Sequence, residues 1–152
     1  MDIANRHILF VDDFKDTREM YAHFLSMKGF QVTQAGDGQE AVEKAAELLP
    51  DLIVMDLSLP RVNGWEASRR LKASDKTKHI PVLILTAYDL STEFADIIPE
   101  GCAGVLMKPC LPNDMLAVIG RVLDGHPPDR RASPALDSAV PSRRSSPIRR
   151  VS

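Results

Sequence analysis

Asp12, Asp13, Asp56, Thr86 and Lys108 are the residues of this chain whose types and surroundings suit chemistry rather than packing. Asp56 ends an apolar run: in DLIVMDLSLP, residues 51–60, Leu52, Ile53, Val54 and Met55 lead straight into a carboxylate, a group that is costly to bury without a partner. Asp12 and Asp13 follow the apolar HILFV in the same way, Thr86 closes PVLILT, and Lys108 follows GVLM and precedes Pro109. Three carboxylates gathered at one point repel one another, and such a cluster raises a pKa or takes up a cation. Oxygen ligands without His or Cys suit a hard ion. A small number of carboxylates with room for water and phosphate suits Mg²⁺ better than a dedicated Ca²⁺ cage. A metal ion and a lysine neutralise phosphoryl oxygens, a hydroxyl donates to a third, and a carboxylate can accept a phosphoryl group as an acyl phosphate.

This chemistry requires the five positions to meet, so the elements that carry them decide the matter. Runs of strand length occur at HILFV (7–11), FQVTQA (30–35), LIVM (52–55), PVLILT (81–86) and GVLM (104–107), several of them rich in β-branched residues. Between them Met20/Phe24, Tyr21/Leu25, Ala41/Ala45/Leu48, Val42/Ala46/Leu49 and Met115/Ile119/Val122 recur at helical spacing. Asp37 followed by Glu40 predicts a capping box, Gly29 the end of the first helix, and Pro112 the first turn of the last. A short helix is expected within LSTEFADIIPE (90–100), limited by Pro99.

Five strands with a helix after each predict an α/β fold, a parallel sheet with right-handed crossovers and helices on both faces. In such a sheet the carboxyl ends of the strands form the crevice where ligands sit. Asp12 with Asp13, Asp56, Thr86 and Lys108 stand at four of the five predicted strand ends. The strand of Asp56 is expected to be central, which makes Asp56 the candidate phosphoryl acceptor.

At 152 residues, with 44% hydrophobic and 26% charged residues, the chain suits one domain plus an appendage. Cys102 and Cys110 have no CxxC spacing or neighbouring His, so they read as reduced thiols rather than zinc ligands. MDIANRHILF lacks the features of a signal peptide and no run approaches a membrane span, so a cytoplasmic protein is expected. Residues 126–152 hold six Arg against two Asp, a net +4 in a chain of net −2, so residues 1–125 carry −6. With five Pro and six Ser, the tail lacks the apolar content to offset the entropy of ordering. The folded domain is expected at 5–125 and a disordered Arg/Ser/Pro-rich tail at 126–152. RRAS (130–133), RRSS (143–146) and RRVS (149–152) repeat an Arg-Arg-x-Ser pattern. That pattern suits an arm for an acidic partner, a membrane or nucleic acid, or a target of a basophilic Ser/Thr kinase. A solubilising spacer of biased composition accounts for it equally well.

The paired acids of ILFVDDF, the segment VMDLSLPRVNGWE, the strand end LILTA and GCAGVLMKP with Lys108-Pro109 together resemble a response-regulator receiver domain of the CheY-like superfamily, over residues 6–124. The resemblance implies a flavodoxin-like, doubly wound (βα)5 sheet in the order 2-1-3-4-5. It implies phosphorylation of Asp56 by a phosphohistidine on a histidine kinase or histidine phosphotransfer protein. Mg²⁺ would be bound by Asp13, Asp56 and the backbone carbonyl of Ser58, with Asp12 acting through water. Lys108 and Thr86 would contact the phosphoryl group, the Lys108-Pro109 bond would be cis, and Ser58 and Tyr88 would modulate how fast the phosphoryl group is lost. The chain is then a phosphoacceptor in a two-component phosphorelay rather than an enzyme with an external substrate. The 27-residue tail is too short for a DNA-binding output, so a stand-alone regulator acting on a downstream protein target is expected. One departure stands out: where the family carries a Tyr or Phe that swings inward as the Thr moves toward the phosphate, this chain has Val105.

Each assignment has a plainer rival. Asp12 or Asp13 alone reads as a helix cap, Thr86 as a turn residue, and Lys108 as a solvated strand end. Met20, Phe24 and Trp65 read as packing. A haloacid-dehalogenase-like phosphatase also uses an aspartyl phosphate and Mg²⁺, but it needs Asp-x-Asp after its first strand, whereas Asp12-Asp13-Phe14 has adjacent acids. A receiver-like scaffold that is never phosphorylated gains some room from Val105 and loses it to the intact acids, Thr86 and Lys108. No GxxxxGK[ST] or GxGxxG stretch supports nucleotide binding.

Overall fold

The computed structural model describes residues 5–57, 63–87 and 101–125. Five strands, β1 (His7–Val11), β2 (Gln31–Ala35), β3 (Leu52–Asp56), β4 (Val82–Thr86) and β5 (Gly104–Met107), pair in parallel in the order β2-β1-β3-β4-β5. Four helices are described: α1 (Lys15–Met27), α2 (Gly38–Leu48), α3 (Gly64–Ala73) and α4 (Pro112–Leu123). The parallel sheet is the one expected from the βα alternation, and its doubly wound, flavodoxin-like strand order is the one implied by the resemblance. The helix expected within 90–100 and the tail 126–152 lie outside the described residues.

Alternation along each strand builds two cores. Leu9, Val11, Ile53, Met55, Val82, Ile84 and Val105 face one way and pack with Ala41 and Ala45 of α2 and Ala67 and Leu71 of α3. Ile8, Phe10, Leu52, Val54, Leu83, Leu85 and Leu106 face the other way and meet Tyr21 and Leu25 of α1 and Met115, Val118, Ile119 and Val122 of α4. Because helices cover both faces, β3 and β4 are buried at every position, which is why they read as unbroken apolar runs rather than alternating ones. Each fully buried Leu or Ile contributes about 1.5–3 kcal/mol, so β3 and β4, which end in Asp56 and Thr86, are firmly embedded.

Local signals set the helix ends. The Asp37 carboxylate accepts from the Glu40 N–H at 2.8 Å, while Glu40 reaches one residue further than a capping box requires and accepts from the Gly36 N–H, also at 2.8 Å. After α1, Gly29 takes φ 108°, and the Gly29 and Phe30 N–H groups donate to Ser26 and Leu25 carbonyls. This paired closure depends on a left-handed residue that glycine adopts without strain. Pro112 occupies the first turn of α4. The predicted α2 stripe extends too far: Leu48, the last residue of α2, and Leu49, which turns left-handed at φ 49° as its C-cap, are 41% and 51% exposed. Met20 and Trp65 are also largely exposed, whereas Phe24 packs partly against the α1/α4 core. Among the described residues, no helix is long and apolar enough to cross a membrane.

Candidate functional site

The strand order brings the five sequence-predicted positions to one edge of the sheet. β1 hands over to Asp12 and Asp13, Asp56 is the last residue of the central β3, Thr86 is the last of β4, and Lys108 follows β5. Asp12 is 0% exposed, Asp56 4% and Thr86 1%, while Asp13 stands in solvent. One carboxylate oxygen from each of Asp12, Asp13 and Asp56 lies within 4.8 Å of the others.

Lys108 provides the local counter-charge. Its Nζ donates to Asp56 Oδ2 at 3.1 Å and makes an ionic contact with Asp12 Oδ2 at 3.5 Å. Burial pulls the Lys108 pKa down more than any other single influence, yet the charges of Asp56 and then Asp12 together hold it above its ordinary 10.5. The side chain is therefore a permanent cation at neutral pH. Its backbone N–H donates to the Thr86 carbonyl at 2.7 Å, joining the ends of β4 and β5, and the Lys108-Pro109 bond is cis, as expected.

Asp12 partly fulfils its plainer reading. Its Oδ1 accepts from the Phe14 N–H at 2.9 Å where Phe14, the residue that precedes α1, caps nothing with its own side chain. Its Oδ2, however, is buried without a hydrogen-bond partner. Lys108 supplies charge to it from 3.5 Å without a hydrogen bond, an unmet capacity that is costly for a buried oxygen, and a divalent cation would satisfy it. The donor set is all oxygen, two of the three carboxylates are shielded, and the third opens to water, so these residues fit a hard ion such as Mg²⁺.

Three features of the site were missed in the sequence. Gly64 begins α3 so close to β3 that a Cβ there would stand 2.0 Å from the Asp56 carbonyl oxygen and 2.7 Å from Leu57 Cα. Arg18 donates from Nη1 to the Asp12 carbonyl at 3.0 Å, a contact to backbone that side-chain patterns do not reveal. The Tyr21 hydroxyl donates to the Cys110 carbonyl, fastening α1 to the segment after Lys108-Pro109. An Asn-Gly pair at a helix start and an arginine one turn into the helix after the paired acids are the available sequence signals for the first two. Val105 is fully buried in the α2/α3 core. Ser58 and Tyr88 lie outside the described residues.

A doubly wound parallel sheet with an acidic pocket and a lysine at its carboxyl edge defines a class of α/β proteins, and comparison with known proteins narrows it. Residues 8–120 match the response regulator receiver domain. The chain is 32% identical over 104 residues to the polar-differentiation response regulator DivK of Brucella anthropi, covering 68% of this chain and 85% of that one. It is 37% identical over 125 residues to the response regulator MprA of Mycobacterium leprae, covering 82% of this chain but 54% of MprA. Among solved structures, the chemotaxis response regulator CheY4 of Vibrio cholerae superposes with a TM-score of 0.69 at 30% identity, covering 78% of this chain and 99% of that one. The receiver domain of the sensor histidine kinase PA1611 of Pseudomonas aeruginosa, with a magnesium ion coordinated in its active site cleft, gives 0.74 at 27% identity, covering 80% and 99%. The chain belongs to the response regulator receiver family, as a receiver domain of a two-component response regulator.

Proposed function

We propose that Asp56 accepts a phosphoryl group from a phosphohistidine on a histidine kinase or histidine phosphotransfer protein, and that the modified domain, residues 5–125, changes a protein-binding face. The observation that carries this reading is Lys108 Nζ at 3.1 Å from Asp56 Oδ2, beside a buried Asp12 oxygen with no hydrogen-bond partner. An Asp56 carboxylate oxygen attacks phosphorus, the P–N bond breaks, and the departing imidazole keeps the electron pair. Lys108 then exchanges its contact with the free carboxylate for one with a phosphoryl oxygen, and the Thr86 hydroxyl donates to another. Asp13, Asp56 and the Ser58 carbonyl would hold Mg²⁺, with Asp12 acting through water, and the ion would neutralise charge on the phosphoryl oxygens. Hydrolysis reverses the modification as water attacks phosphorus and frees the carboxylate.

Val105 bears on the output. A fully buried, β-branched side chain has little rotamer freedom, so it supplies a weaker lever than a swinging aromatic ring. A two-state equilibrium moves only by the free energy difference supplied to it, so the shift on phosphorylation is smaller or passes through other residues. Direct DNA binding is not expected of the receiver itself, and a cytoplasmic location suits a phosphohistidine donor. The test is incubation with phosphoramidate, a small P–N donor, and Mg²⁺, followed by borohydride reduction and peptide mapping. Conversion of Asp56 to homoserine supports the proposal; an unmodified Asp56, or label at another residue, contradicts it.

A further inference from the structure

Asp12 has the least exposed carboxylate of the pocket, and all but one of its polar atoms are committed. Its N–H donates to the Ala35 carbonyl at 3.1 Å, its Oδ1 accepts from the Phe14 N–H, and its carbonyl accepts from Arg18 Nη1 at 3.0 Å. Only Oδ2, the oxygen facing Lys108, has no hydrogen bond. The same guanidinium donates from Nε to Gln34 Oε1 at 3.0 Å, so one planar fork spans the exits of β1 and β2.

That fork is itself braced. The Gln34 carbonyl accepts from Lys44 Nζ at 2.6 Å. Lys44 pairs with Glu40 at 2.9 Å, and Glu40 accepts from the Gly36 N–H. A Cβ at Gly36 would stand 3.3 Å from Arg18 Nη1, so the turn after β2 closes against the guanidinium.

We infer that Arg18 is a positioning residue for the cation site: it fixes the peptide plane between Asp12 and Asp13 and thereby sets Mg²⁺ affinity without touching the ion. The inference rests on the pocket's proposed role. Because the peptide unit is planar, holding the Asp12 carbonyl oxygen also fixes the direction from which Asp13 leaves the backbone. Both carboxylates are therefore aimed by one contact. A positive charge near the carboxylates would by itself weaken cation binding, so positioning and charge predict opposite signs. Lysine keeps the charge but cannot reproduce a two-armed planar donor.

The test is Mg²⁺ titration of the isotope-labelled full chain, read from amide shifts, with thermal midpoints taken without Mg²⁺. Wild type is compared with Arg18→Ala, Arg18→Lys and Gln34→Ala. Positioning predicts roughly tenfold weaker binding for both Arg18 variants, the scale of losing an outer partner of a metal ligand, and a smaller loss in the same direction for Gln34→Ala. A merely structural role lowers the midpoints and leaves the dissociation constants unchanged, which overturns the inference. Tighter binding in Arg18→Ala with Arg18→Lys equal to wild type overturns it in favour of charge alone. If Arg18→Ala does not fold, Arg18→Lys and Gln34→Ala decide by the same criteria. Wild type is the separate control: folded but unresponsive to Mg²⁺, it contradicts the proposed pocket itself, whereas a responsive wild type with unaltered variants contradicts only the role of Arg18.

Discussion

Replacing Gly64 with Ala drives a methyl group into the backbone of the strand that carries Asp56. The added Cβ would lie 2.0 Å from the Asp56 carbonyl oxygen, 2.7 Å from Leu57 Cα and 2.8 Å from the Asp56 carbonyl carbon. Restoring a close C···O contact of about 3.3 Å requires the start of α3 or the end of β3 to retreat by about 1.3 Å. The obstructing atoms are backbone, so no rotamer change relieves the clash, and retreat lengthens the Gly64 N–H to Leu57 carbonyl bond, now 3.0 Å. Overpacking costs about 1–3 kcal/mol, and the upper end applies here. Alanine's better helix propensity returns at most about 1 kcal/mol. A net loss of about 2 kcal/mol lowers the unfolding midpoint by about 8 °C in a domain of this size. Circular dichroism melts of wild type and Gly64→Ala measure it. Because the displaced carbonyl belongs to Asp56, the folded variant is also expected to take up phosphate more slowly. A midpoint equal to or above that of wild type would refute the close approach on which the argument rests.

Other predictions concern single groups. Lys108→Met removes the cation beside Asp56 and Asp12, so phosphorylation at saturating Mg²⁺ is expected to slow by about 10²–10³-fold while Mg²⁺ binding is not weakened; loss of both would merge roles assigned separately. Burial, reinforced by Asp114, pushes the Cys110 thiol from 9.0 up to about 11. A raised folded-state value means stability that is fully present below pH 9 and is lost as pH climbs through about 11, when the thiolate must form. Tyr21, raised chiefly by burial from 10.0, and Lys108, raised above 10.5, add losses of the same sign at higher pH. Urea midpoints between pH 8 and 11 should therefore fall at the alkaline end, and Cys110→Ala should flatten the lower part of that fall; an unchanged slope would remove Cys110 from the account. If Tyr88 shields the phosphoryl group, Tyr88→Ala shortens the lifetime of the phosphorylated state, and an equal half-life would count against shielding.

Much of this architecture was legible because burial on both sheet faces leaves a plain mark. β1 and β5 match their apolar runs, while β2 and β4 begin one residue later than predicted and β3 runs one residue further, to include Asp56. Asp12, Asp13, Asp56 and Lys108 converge as expected because a parallel sheet places every strand's carboxyl end on one edge. What escaped notice depends on backbone contacts across elements. The Gly64 approach to Asp56 and the Arg18 bond to the Asp12 carbonyl each end on main-chain atoms, so Asn63-Gly64 and Arg18 are visible in the sequence while the partners they meet are not. Leu48 and Leu49 differ from expectation for another reason: their spacing continues the α2 stripe, but the helix stops at Leu48, Leu49 turns left-handed, and both side chains stay exposed.

The most direct test of the central claim is intact-mass spectrometry after incubation with acetyl phosphate and Mg²⁺, alongside samples containing EDTA and the Asp56→Asn variant. A gain of one phosphoryl group in the wild type that disappears in both controls is the predicted result. No gain in a folded, Mg²⁺-loaded wild type, or an equal gain in Asp56→Asn, would contradict the assignment of Asp56 as the metal-assisted phosphoryl acceptor.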